Sequence, residues 1–127
     1  MKLAKHSNKD IASRELVLTK AVLSASDKLG INSTTLGKII GLSAATISRM
    51  KKEGYSLKTD KKEYELGAEF VRLYRGIDSI NGGDDTANQS WIKSNNTVLN
   101  GAPIDLIQKI RGLVHTIEYV DTFRAKI

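Results

Sequence analysis

The sequence predicts an all-α fold: apolar residues recur at three- and four-residue spacing almost throughout. Alternating strand patterns are missing, and no Asn-Gly hairpin signal stands between β-branched runs. The 127 residues suffice for one compact unit or two small lobes sharing a core, burying roughly two-thirds of the unfolded surface. The expected architecture is an N-terminal helix-turn-helix domain followed by a small C-terminal helical domain.

Residues 1–12, "MKLAKHSNKDIA", are expected to be a flexible N-terminus. In "SRELVLTKAVLSASDKLG" the first helix places Leu16, Val17, Ala21, Val22, Ala25 and Leu29 on one face, with Ser13 as cap and Gly30 as stop. Two short helices come next, at about 33 to 40 and 44 to 52, parted by "GLS". The polar stretch "KEGYSLKTDKKE" links them to a longer helix carrying Tyr64, Leu66, Phe70, Val71, Leu73, Tyr74 and Ile77. "NGGDD" breaks that helix. Beyond it lie a short helix around Trp91, the loop "SNNTVLNGA", a helix opening at Pro103 and a last helix from about 113 to 124. Proline suits a first helical position, where its missing N–H has no intrahelical partner to lose. Gly112 is expected to separate "IDLIQKI" from "LVHTIEYVDTF". The domains expected on this basis are 13–59 and 60–127.

Charge is unevenly placed. Residues 1–62 hold 13 Lys and Arg against 5 Asp and Glu, whereas residues 63–127 hold 7 against 9. A positive field confined to one half is what phosphate binding requires, because neutralisation by Lys and Arg releases condensed counterions. A solvated basic surface is the plainer alternative. Absence of cysteine excludes disulfide frameworks, thiolate nucleophiles and Cys-ligated zinc, and is compatible with a reducing compartment. With no secretory h-region at the N-terminus and no run of eighteen apolar residues, a cytoplasmic chain without membrane contact is expected.

Within "STTLGKIIGLSAATISRMKK" (33–52), Leu36, Ile40, Leu42, Ile47 and Met50 can fill one small core. Gly37 is small where a second helix approaches, Gly41 supplies the turn, and Ser43 caps the second helix. These are the requirements of a helix-turn-helix, which also occurs as a packing device without nucleic acid. The stretch resembles the Xre-like DNA-binding motif, which implies a recognition helix at 44–52 in the major groove of operator double-stranded DNA. Ser43, Ala44, Ala45, Ser48 and Arg49 then face outward, with Thr46 and Lys52 beside them, and Lys38, Lys51 and Lys52 add non-specific attraction. Arg49 is the best base reader, since a guanidinium grips guanine O6 and N7 together. Ser33, Thr34 and Thr35 open the preceding helix, where hydroxyls and backbone N–H groups hold a phosphate.

In the C-terminal half, Ala87 precedes Trp91, Ile92 follows it, and then come Asn95 and Asn96, Leu99 then Gly101, "PIDLI" at 103–107, Gly112 and Val114. In this order and spacing the C-terminal half resembles the toxin-binding domain of the Xre/MbcA/ParS antitoxin family. The resemblance implies an antitoxin of a type II toxin–antitoxin operon that forms a homodimer, covers the NAD site of a RES-domain toxin and represses its own operon. It implies a toxin-facing set of Trp91, Asn95, Asn96, Leu99, Asn100 and Pro103, with Arg124 and Lys126 in a short basic tail. The residues alone support a plainer reading beside it. Trp91 then plugs the bundle with its indole N–H on a loop carbonyl, and the asparagines close local turns. A stand-alone dimeric repressor, and a toxin-neutralising module without operator binding, are the other readings.

Catalysis is not expected. His6 and His115 lack metal-ligand spacing, Asp84 and Asp85 are explained by helix capping, and "GIDSINGG" has neither a Lys-Ser/Thr pair after it nor a strand before it. No cofactor and no metal are called for.

Overall fold

The structure is a computed structural model that describes residues 8–125. Among the described residues seven helices succeed one another: α1 (Asn8–Leu29), α2 (Ser33–Ile40), α3 (Ala44–Lys51), α4 (Lys62–Ile80), α5 (Asp85–Lys93), α6 (Pro103–Leu106) and α7 (Ile110–Arg124). No strand occurs among the described residues.

α1 is already helical at Asn8, the first described residue, rather than starting after Ser13, so residues 8–12 belong to the helix. Its buried stripe is Thr19, Val22, Ala25, Ser26 and Leu29, with Leu18 packed at the edge. Leu16 and Val17, expected inside, are 40% and 65% exposed. The reason is phase: a stripe through 15, 18, 19, 22, 25, 26 and 29 keeps the helical period, and positions 16 and 17 fall off it. α1 stops in a Schellman motif, with the Ile31 N–H on the Ser26 carbonyl and the Gly30 N–H on that of Asp27.

α4 is the central element and packs on α1, α2, α5 and α7. Its buried residues, among them Gly67, Phe70, Val71, Leu73, Gly76 and Ile77, join those of α1 to α3 and α7 in a single apolar cluster. A boundary at residue 60 therefore falls immediately ahead of a helix that both halves share. α5 also reaches across: Gln89 Nε2 donates to the Lys28 carbonyl at the end of α1, 3.0 Å away.

The polar stretch 52–63, expected to be a linker, enters α4 at Lys62 and is tied down ahead of it. Leu57 is fully buried, its N–H donates to Thr19 Oγ1 (2.9 Å), and the Thr59 N–H donates to Glu15 Oε2 (2.8 Å). In the C-terminal half, α7 starts at Ile110 and contains Gly112 rather than following it. The chain turns instead at Ile107–Lys109, where Lys109 is extended (φ −118°, ψ 145°). Gly112 is needed for contact: a Cβ there would collide with the Leu106 carbonyl at the end of α6.

Candidate functional sites

In the first site, Asn32 caps α2, its Oδ1 accepting the Thr35 N–H at 2.8 Å. Gly41, at φ 79°, turns the chain in the left-handed region, and the Leu42 N–H returns to the Gly37 carbonyl at 2.8 Å. A Cβ on Gly37 would strike the Leu42 carbonyl oxygen, so the tightness of the turn itself demands glycine here. Ser43 then caps α3: its Oγ accepts the Thr46 N–H at 3.1 Å and shares a hydrogen bond with Thr46 Oγ1 at 3.0 Å. Ile47 and Met50 turn inward. Ser43, Ala44, Ala45, Ser48, Arg49, Lys51 and Lys52 are exposed, and Thr46 is half-buried.

The phosphate-holding role expected of Ser33, Thr34 and Thr35 is narrowed. The Thr35 N–H is already bonded to Asn32, and Ser33 Oγ accepts from Lys51 Nζ at 2.8 Å. Thr34 is exposed, while Ser33 and Thr35 are half-buried. The Lys51 contact places the start of α2 beside the end of α3, so hydroxyl and ammonium form one polar edge.

Arg49 is held by residues outside the motif. Its guanidinium lies 5.3 Å from the centre of the Tyr55 ring, with Lys58 Nζ at 5.4 Å. Its carbonyl accepts the Gly54 N–H (2.7 Å) while the Glu53 N–H reaches the Met50 carbonyl (3.0 Å). This is a Schellman stop with Glu53 in the left-handed position, φ 61°. The Tyr55 hydroxyl donates to Glu63 Oε2 at 2.5 Å, and the same oxygen accepts the Lys58 N–H at 2.9 Å. Burial, then the hydrogen bond to Glu63 and the charge on it, push the Tyr55 phenol up to about 12. The ring under Arg49 is thus neutral at physiological pH. Sequence reasoning missed Tyr55 and Glu63. The one available signal was a glutamate, Glu63, directly after the lysine pair that ends the basic half.

The second site is the loop 94–102. Asn96 organises it: Oδ1 accepts the Val98 and Leu99 N–H groups, both at 3.0 Å. Its backbone pairs with Gly101 in an isolated antiparallel bridge, and Asn100 sits at φ 66°. Asn96 and Asn100 are therefore turn formers. Leu99 and Pro103 are buried and shape the loop from within, so neither offers contact area to a partner. Trp91 is half-buried against the core. Its indole N–H makes no hydrogen bond among the described residues. Ile92, fully buried, is the side chain that plugs the bundle. The exposed rim includes Asn95, Asn100 and Val98, the last 67% exposed and not anticipated. Val98 and Leu99 are adjacent aliphatics, and nothing in their pattern says which one turns in. Arg124 is exposed at the end of α7; Lys126 and His6 lie outside the described residues.

His115 is exposed, and Asp84 caps α5 by accepting the Thr86 N–H at 2.9 Å. No group of three or more His, Cys, Asp or Glu among the described residues is placed to hold a metal ion. None of the described helices is long and apolar enough to cross a membrane.

Comparison with known families agrees with this geometry. Residues 11–72 match the antitoxin Xre-like helix-turn-helix domain, and residues 78–126 match the antitoxin Xre/MbcA/ParS C-terminal toxin-binding domain. No curated protein gives a significant match to the chain. The first match runs well into α4, in keeping with the packing of that helix against α1. With an Xre-like motif built by α2 and α3 and a toxin-binding domain behind it, the chain belongs to the Xre/MbcA/ParS antitoxin family.

Proposed function

We propose that this antitoxin neutralises a RES-type, NAD-degrading toxin and, as a cytoplasmic homodimer, represses its own operon. The observation that carries the operator half is Arg49, exposed on α3 and supported from below by Tyr55. A guanidinium so placed loses less freedom when it grips a guanine edge in the major groove. Ala44 and Ala45 present methyls to thymine, while Thr34, Lys51 and Lys52 meet phosphates. In the dimer two copies of α3 stand about 34 Å apart, one helical turn of duplex. The toxin half rests on the family of the C-terminal domain and on the exposed rim of the 94–102 loop. The chain acts there by covering the toxin's site, and needs no chemistry of its own.

Two measurements test the reading. Co-purification with the protein encoded by the neighbouring gene, and loss of that protein's NAD consumption in the complex, is the expected result for the toxin half. A neighbour with no NAD-degrading activity sinks it. For the operator half, Arg49→Ala is expected to weaken binding by about 1–3 kcal/mol and relax preference at one base position. An unchanged footprint removes Arg49 from that role.

A further inference from the structure

Beyond the two sites lies an open groove of about 590 Å³ between α1, α4 and the end of α7. Its floor is aliphatic, and Val17, at 65% exposure, is an apolar side chain with nothing over it. Its rim carries four arginines, Arg14, Arg72, Arg75 and Arg124. Arg72 already takes Asp121 at 2.5 Å and Glu69 at 3.9 Å. Arg14, Arg75 and Arg124 form no ion pair among the described residues. An apolar floor ringed by unpaired guanidinium forks is complementary to aliphatic side chains flanked by carboxylates.

The groove does not face the operator. It uses Arg14, Val17, Leu18 and Ala21 of α1, whereas the cleft between α1 and α3 uses Leu16, Thr19, Lys20 and Leu23. At about 100° per residue the two sets point roughly half a turn apart. A duplex seated on α3 therefore lies across α1 from the arginines, and an aliphatic floor gives a phosphate backbone nothing to bind. The chain's own first residues, "MKLAK", carry two lysines and no acid, the wrong sign for this rim. The groove is also continuous with the toxin-binding domain, since Arg124 falls within the matched residues 78–126.

We propose that this groove receives an acidic amphipathic helix of the toxin, with carboxylates on Arg14, Arg75 and Arg124 and aliphatic side chains on Val17, Leu18 and Ala21. The inference rests on the toxin-binding reading and deepens it: the face of α1 within the helix-turn-helix domain becomes part of the toxin interface. Helix-in-groove docking of this kind reads as anchors at i, i+3 or i+4, and i+7 on the partner.

The test uses the full-length chain and the protein encoded by the neighbouring gene, with titration calorimetry and hydrogen exchange as readouts. Arg14→Glu combined with Arg75→Glu is expected to raise the dissociation constant at least about tenfold, with the loss greater at low salt. Backbone amides of 13–21 and 68–75 are expected to gain protection in the wild-type complex. Both arginines are exposed, so the double variant should keep the wild-type melting curve; if it does not, the wild-type exchange map alone decides. A toxin that binds wild type and variant equally and leaves these amides unprotected overturns the groove and leaves the toxin reading standing. No complex at all overturns both. Protection that grows with antitoxin concentration alone assigns the groove to a second copy, and protection by duplex DNA assigns it to nucleic acid; either result overturns the proposal.

Discussion

Replacing Tyr55 by Phe removes one oxygen and keeps the ring beneath Arg49. The lost hydroxyl donates to Glu63 at 2.5 Å, and a hydrogen bond to an ionised acceptor contributes about 1.5–3 kcal/mol. Tyr55 is only half-buried, so water screens part of this and about 1–2 kcal/mol is expected at pH 7. For a domain of this size that lowers Tm by about 3–10 °C. The pH dependence tests the phenol's burial and its bond to Glu63 together. The folded-state pKa of Tyr55 is raised to about 12 from an ordinary 10.0. The proton is held more tightly by the folded chain, so the contribution is complete below pH 10 and is lost as pH rises through 12. Urea unfolding of wild type and Tyr55→Phe at a series of pH values should give a constant gap up to pH 10 that closes above it. Taking the difference cancels the lysines and Tyr74, whose phenol burial also raises. A gap that stays constant to pH 12 would refute the assignment to the Tyr55–Glu63 bond. Because the ring remains, operator affinity of Tyr55→Phe should match wild type, whereas Tyr55→Ala should weaken it.

Glu53→Gly should stabilise the chain by about 1 kcal/mol in urea unfolding, because Glu53 occupies the left-handed stop of α3 at φ 61°. Gly112→Ala should cost about 1–3 kcal/mol, read as a lower Tm, since the new methyl meets the Leu106 carbonyl and the α6–α7 joint must shift. Thr116, fully buried on α7, leaves its hydroxyl without a partner among the described residues. Thr116→Val should therefore be neutral or stabilising by up to about 1–2 kcal/mol in the same assay.

The helix-turn-helix is legible in the sequence because its constraints are local. Asn32, Gly37, Gly41 and Ser43 act on partners within five residues, and α2 and α3 stand where their spacing places them. What escapes the sequence is non-local or degenerate in phase. Thr59 and Glu15 are separated by 44 positions, and no window links them, so a tied-down segment reads as a linker. In "RELVLTKAVL" aliphatic residues are dense enough to fit two stripes, and the one through Leu16 and Val17 is not the one that packs. Gly112 resembles a helix stop in sequence; its purpose is close approach to α6, which only the folded chain reveals. The landmarks of the 94–102 loop mark a structured turn while misassigning depth. Leu99 and Pro103 build the loop from inside, and Val98, absent from those landmarks, stands on its rim.

α4 has a consequence for how the protein fails. One helix supplies core residues to both ends of the chain, and Gln89 of α5 completes the end of α1. A cut at residue 60 would strip α1 of Gly67, Phe70 and Val71, leaving neither fragment a finished interior. Unfolding should accordingly be a single cooperative event, with α3 and the 94–102 loop melting together. A protease or unfoldase that pulls the chain open from either end empties both surfaces in one step, and no folded remnant survives with one surface intact.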